Sequence, residues 1–167
     1  MPRRPTPFVT GEIFHVFNRS VAKRPIFITN RDYQRAMETV NFYKFSNLPL
    51  SFSHYERLAK ETKAMVLENM QTPDKKQISI LAYCLMPNHF HFQLEQLIED
   101  GIHNFLRNLQ NSYAKYFNTK RDRSGALFQS MFKAVRIESD EQLVHVNRYI
   151  HLNPLTSYVI REPKELE

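Results

Sequence analysis

Residues 78–97 read Ile78-Ser79-Ile80-Leu81-Ala82-Tyr83-Cys84-Leu85-Met86-Pro87-Asn88-His89-Phe90-His91-Phe92-Gln93-Leu94-Glu95-Gln96-Leu97. Two apolar runs, Ile78–Met86 and His89–Leu97, flank Pro87-Asn88. That dipeptide is a turn signal, so the stretch reads as a β-hairpin. Residues i and i+2 of a strand share a face. His89 and His91 therefore project together while Phe90 packs behind them. A side-by-side imidazole pair can supply half of a metal site. A bare His-x-His is equally a strand with an exposed histidine face. The rest of the chain must supply the missing ligand and a nucleophile.

Before the hairpin, Glu12 to Asn18 is rich in Ile, Val and Phe and reads as a first strand. Arg19 to Pro25 is a basic loop. Thr29 or Asn30 can cap a helix carrying Tyr33, Ala36, Met37, Val40 and Phe42. A second, polar helix is expected over about residues 53–70, ending at Thr72-Pro73-Asp74. After the hairpin, Ile102, Phe105, Leu106, Leu109, Tyr113, Tyr116 and Phe117 recur at three- and four-residue spacing. That is the buried stripe of a helix over about residues 100–118, and it marks Tyr113 and Tyr116 as packing residues. Lys120 to Gly125 is a second basic loop, and Leu127 to Ile137 reads as a fourth strand. The last helix starts near Ser139, which with Gln142 resembles a capping box. It runs to Asn153-Pro154, where the proline ends or distorts it.

The order β-α-α-β-β-α-β-α predicts an α+β fold. Specifically, it predicts a ferredoxin-like split βαβ domain, an antiparallel sheet with helices on one face. The expectation is a single domain over 1–167, with a core at about 12–155 and a helical insertion at about 53–70. Residues 156–167 read as a short tail.

Composition narrows the function. The formal charge is +6, a balance that suits a polyanionic partner but also describes an ordinary basic protein. The one cysteine, Cys84, excludes an intrachain disulfide and reads as a small core residue. The N-terminus is basic without the apolar run of a signal peptide. No segment reaches the ~18 apolar residues that cross a bilayer, so a cytoplasmic protein off the membrane is expected. With three glycines, there is no Gly-rich phosphate loop, which excludes a P-loop enzyme and a nucleotide cofactor.

The last helix carries Arg148-Tyr149-Ile150-His151-Leu152-Asn153-Pro154. Tyr149 and Asn153 lie one helical turn apart on one face. A tyrosine oxygen can be a nucleophile, and an amide oxygen is a hard metal ligand. Asn153 would complete a His-His-Asn set with His89 and His91. Taken alone, the segment is also a plain helix C-terminus with an Asn-Pro stop. His15, His103 and His145 have no partner spacing and read as surface or core residues. His151, two residues from both Tyr149 and Asn153, reads as a neighbour supporting the site.

Four ordered blocks carry a resemblance. They are Tyr83 to His91, Tyr113 to Asn118, Gly125 to Gln129, and Arg148 to Pro154. His89-Phe90-His91 resembles the HUH signature of single-tyrosine transposases. The blocks together resemble the REP-associated tyrosine transposases, relatives of the transposases of the smallest insertion sequences. The resemblance implies a homodimer that cuts and joins single-stranded DNA at hairpin-forming repeats. It implies that Tyr149 is the nucleophile of a 5′-phosphotyrosine link, and that His89, His91 and Asn153 bind a divalent metal. The polar helix before the hairpin is longer than in the smallest relatives.

A cation on a non-bridging oxygen stabilises the charge that develops on an attacked phosphodiester. Mg²⁺ prefers oxygen ligands and Mn²⁺ tolerates imidazole better, so either is expected to serve. The basic loops place candidate DNA contacts at Arg19, Lys23, Arg24, Lys120, Arg121 and Arg123, with Arg148 beside the tyrosine. Two rival readings stand beside this one. One is a non-catalytic DNA- or RNA-binding regulator on the same fold. The other is a metal-dependent hydrolase in which Tyr149 is structural.

Overall fold

A computed structural model describes residues 7–70 and 72–159, the last four as backbone only. Strand β1 spans Ile13–Arg19, and helix α1 spans Asn30–Tyr43. Short helix α2 (Phe52–Tyr55) and helix α3 (Lys60–Met70) precede the hairpin of β2 (Ile78–Met86) and β3 (His89–Gln96). Helix α4 (Gly101–Lys120), strand β4 (Lys133–Arg136) and helix α5 (Asp140–Val159) complete the order.

All pairings are antiparallel, and the sheet order is β2-β3-β1-β4. The predicted α+β antiparallel architecture is therefore present. Alternation along β1 and β3 sends Phe14, Val16, Phe90, Phe92 and Leu94 to one face. There they meet Ala36 and Val40 of α1 and the stripe Ile102, Phe105, Leu106, Leu109, Tyr113 and Phe117 of α4. Each large apolar side chain buried this way stabilises the fold by ~1.5–3 kcal/mol.

Helix α1 starts at a capping box. Asp32 N donates to Thr29 Oγ1 at 3.3 Å, and Thr29 N donates to Asp32 Oδ2 at 3.0 Å. Asp32 is fully buried and also joins α1 to the end of α4. Lys120 Nζ lies 2.7 Å from Oδ1 and Arg121 lies 3.1 Å from Oδ2, while Tyr116 Oη donates to Oδ1 at 3.0 Å. At the other end of α4, Gly101 sits against strand entry. A Cβ there would come within 2.2 Å of the Gln77 carbonyl oxygen, so only glycine fits.

Several expectations need correction. The helices do not all share one face. α1 and α4 cover one, while α5 lies on the other, where Ile150 packs against Ala82, Cys84 and Met86. A β-bulge between Ile80 and Ala82 permits this. Ile80 faces the α1/α4 core and Ala82, two residues on, faces α5. Cys84 is buried in that second cluster.

The expected helix over 53–70 is two pieces, because its buried anchors, Phe52 and Met70, lie only at the ends and no apolar stripe joins them. The fourth strand is shorter than 127–137. The β1–β4 ladder covers only Lys133–Arg136, and Phe128 makes just an isolated bridge to Ser20. Helix α5 passes through Pro154 to Val159 instead of stopping there. Of the expected tail, 160–167 lie outside the described residues, as does the basic N-terminal segment 1–6. Among the described residues no helix is long and apolar enough to cross a membrane.

Candidate active site

The α5 face of the sheet holds the chemistry. His89 and His91 alternate with Phe90 and Phe92 on β3, so both rings turn toward α5. Their centroids are 5.1 Å apart at 86°. Each ring is tied down through Nδ1. His89 Nδ1 bonds Asn88 Oδ1 at 2.6 Å. An amide oxygen only accepts, so His89 carries its proton on Nδ1 and keeps the lone pair on Nε2. Asn88 is oriented in turn by donating from Nδ2 to the Lys23 carbonyl at 3.1 Å. His91 Nδ1 lies 3.0 Å from His15 Nε2. Neither Nε2 of the pair makes a hydrogen bond among the described residues.

The turn bearing this pair is held by the preceding loop. Ser20 N donates to the Asn88 carbonyl at 2.9 Å, and Ile26 N and Phe27 N donate to the Pro87 carbonyl at 2.7 and 3.0 Å. That loop turns through Ala22 and Lys23, both at positive φ.

Helix α5 is fixed over the pair by Gln93, two residues beyond His91 and fully buried. Gln93 Nε2 donates to the Leu143 carbonyl at 3.1 Å, and Asn147 Nδ2 donates to Gln93 Oε1 at 3.1 Å. Half a turn on, the Tyr149 ring meets His91 edge-on, with centroids 5.4 Å apart at 88°. It also meets His15 at 6.0 Å. Tyr149 is 46% exposed, so the residue is accessible from solvent. Asn153, one turn further, is buried.

The environment keeps the imidazoles neutral. Burial, then the neighbouring His15 and His89, pushes His91 down to about 3. Burial, then the Arg19 charge, lowers His89, and burial lowers His15. A neutral imidazole is the form that ligates a cation.

The structure thus brings His89, His91 and Tyr149 together, with Asn153 buried on the same helix face as Tyr149. It separates the basic residues. Arg19 pairs in register with His89, and Lys23 and Arg24 are exposed on the adjoining loop. Arg148 is exposed beside Tyr149. Lys120 and Arg121 are committed to Asp32, and Arg123 donates to Asn118 Oδ1 and the Ala126 carbonyl.

His15 is the residue the sequence reading missed. It packs on His91 with centroids 5.2 Å apart and planes 23° apart, and Phe17 lies beside both rings at 5.0 and 5.4 Å. The available signal was its place at the i position of His15-Val16-Phe17, with Val16 facing the core. Only knowledge that β1 neighbours β3 turns that into a site residue. His145 lines a cleft of about 480 Å³ that opens beside His15. His151 lies on a groove along the β2 edge instead of at the histidine pair.

Two neutral imidazoles whose Nε2 atoms make no hydrogen bond among the described residues are donors of the kind that suits a divalent cation. Among the described residues no three His, Cys, Asp or Glu side chains group into a metal site.

The four-stranded antiparallel sheet with helices packed on it is the fold of the tyrosine transposases, and this chain is an enzyme of that class. More particularly, residues 53–153, more than half of the chain, match the family described as Transposase IS200 like, and the chain belongs to that family. Among solved structures, it is similar to a REP-associated tyrosine transposase bound to a REP hairpin. The TM-score is 0.61 at 17% identity, over 94% of this chain and 74% of that one. A candidate transposase from Deinococcus radiodurans R1 aligns at TM-score 0.47 and 10% identity, over 90% of this chain and 96% of that one. No curated protein matches the chain.

Proposed function

We propose that this transposase is a metal-dependent single-stranded DNA endonuclease and strand transferase working through a 5′-phosphotyrosine intermediate on Tyr149. The observation that carries the reading is the contact of the half-exposed Tyr149 ring with buried, neutral His91. His89, His91 and Asn153 would hold Mg²⁺ or Mn²⁺, which when bound neutralises charge on a non-bridging phosphate oxygen.

The chain's own residues do the rest. Tyr149 Oη attacks the phosphorus, and the Oη–P bond forms as the P–O3′ bond breaks. The tyrosine proton ends on the released 3′ hydroxyl, and the 5′ phosphate stays on the protein. Attack of a 3′ hydroxyl on that phosphotyrosine reverses the step on a new strand and returns the proton to Tyr149. The bond energy is conserved, so no nucleotide cofactor is required. Gln93 holds α5 so that the nucleophile stays beside the histidine pair. Arg19, Lys23, Arg24 and Arg148 surround this face and would contact the DNA backbone.

The solved neighbour holds a REP hairpin, and hairpin-forming repeats are the substrate proposed here. The chain acts as one domain in the cytoplasm. Two copies associate through the exposed β2 edge, where Leu81 and Tyr83 are open.

The test is a covalent adduct on a single-stranded substrate with a hairpin. Wild type should yield a protein–DNA species that survives boiling in detergent, and Tyr149→Phe should bind the same DNA and yield none. Cutting by Tyr149→Phe would establish a hydrolase instead. A protein that binds but never cuts, in any variant, would be the regulator of the rival reading.

A further inference from the structure

We infer that His15 is the positioning residue of the site: its Nε2 selects the Nδ1–H tautomer of His91, and its ring holds His91 and Tyr149 at their spacing. The inference rests on the proposed function for the choice between the two tautomers of His91 and for what the open Nε2 then binds.

The His15–His91 hydrogen bond at 3.0 Å admits two proton assignments. If His15 donates, His91 Nδ1 is the acceptor and its proton sits on Nε2, which then cannot ligate. If His91 donates from Nδ1, its Nε2 lone pair turns outward beside that of His89. For His89 the assignment is already made, because Asn88 Oδ1 can only accept. The two rings serve one purpose only when both carry Nδ1–H. His15 is then the acceptor, the same part that the Asn88 oxygen plays for His89. Fixing a ligating imidazole through its second nitrogen is the general way such rings are oriented.

Packing adds the second half. His15 lies nearly parallel on His91 and meets Tyr149 at 71°. It therefore touches the ligand ring and the nucleophile ring at once. The strand register makes this contact possible, since Phe17 pairs with His91 and His15 with Gln93 across the β1–β3 ladder. One strand thereby presents His15 between the residue that ligates and the residue that anchors α5.

The experiment compares wild type with His15→Phe, which keeps a ring of similar size and removes the acceptor. Nitrogen-15 NMR of the histidines in metal-free, DNA-free protein reads the tautomer directly. Wild type should hold His91 as Nδ1–H, with scalar coupling across the bond to His15 Nε2. His15→Phe should lose that coupling and move His91 toward Nε2–H. Titration with Mn²⁺ alone should show affinity reduced by roughly tenfold or more. Wild-type His91 in the Nε2–H form, or a His91 tautomer unchanged in His15→Phe, would overturn the inference. The wild-type spectrum decides even if the variant does not fold. The tautomer needs neither metal nor DNA, so it stands apart from the adduct test: a protein with His91 as Nδ1–H that never forms an adduct would overturn the proposed function and leave His15 in its role.

Discussion

Asn147 on α5 donates a hydrogen bond to the side-chain oxygen of Gln93, a fully buried residue on β3. Through this bond the strand that carries the histidine pair also sets the position of the helix that carries the tyrosine. Gln93→Leu roughly keeps the volume but removes both side-chain hydrogen bonds to α5, the one to the Leu143 carbonyl and the one from the Asn147 amide. Each such bond contributes ~0.5–1.5 kcal/mol. We expect a lower melting temperature. Adduct formation should fall more than DNA binding, since the helix moves while the basic surface stays. Equal loss of both, by gel and by binding titration, would contradict this.

Chelation should stop adduct formation without unfolding the protein, as circular dichroism would verify. His89→Ala should abolish Mn²⁺ binding and leave the melting temperature within a few degrees. His91→Ala should abolish it too, with a larger thermal penalty. That ring is buried between His15, Phe17, His89 and Tyr149, and its removal leaves a cavity.

The two groups of basic residues should separate cleanly. Arg19→Ala and Lys23→Ala should weaken DNA binding and reduce the slope of log K against log salt by ~1 each. Lys120→Ala and Arg121→Ala should leave that slope unchanged and lower the melting temperature, because both side chains are spent on Asp32. Salt titrations of the four variants, each beside a thermal melt, read both effects.

Asp32 sets an acid limit on stability. Burial raises its carboxyl, but hydrogen bonds from Lys120, the Thr29 amide, Tyr116 and the Thr29 hydroxyl outweigh that and hold it well below the usual carboxylate range. The folded state therefore binds its proton later than the unfolded chain does, whose carboxyl titrates at ~3.9. The stabilisation is complete above that value and is lost as pH falls through the lowered folded one. Wild type should lose melting temperature progressively below about pH 4. Asp32→Asn should start lower at pH 7 and show a flatter acid limb. Parallel limbs in the two proteins would refute the assignment.

Where local pattern suffices, the chain is legible. The hairpin, the α4 stripe and the Thr29 cap follow from alternation, three-four spacing and one hydroxyl. The histidine pair and Tyr149 were visible as residue types at the right spacing, and the four motif blocks made them specific. What escaped depends on neighbours distant in sequence. His15 gains its meaning from β1 lying beside β3, a pairing across 76 residues. The turning of Ala82, Cys84 and Met86 toward α5 follows from the register shift between Ile80 and Ala82, which periodicity over nine residues does not resolve. Lys120 and Arg121 looked like a solvated basic loop because their buried partner, Asp32, lies near the other end of the chain.

The loop from Ser20 to Phe27 looks like a segment that accepts insertions, because Val21 to Pro25 is exposed and Pro25 breaks it. Its hydrogen bonds make it something else. Ser20, Ile26 and Phe27 grip the Pro87-Asn88 turn through the backbone, and the Lys23 carbonyl orients Asn88 and through it His89. Its length is therefore a gauge block for the active site. In a random-insertion library selected for activity, this stretch should be as barren of surviving insertions as a core strand, while the Ser46–Ser51 connection ahead of α2 should carry many.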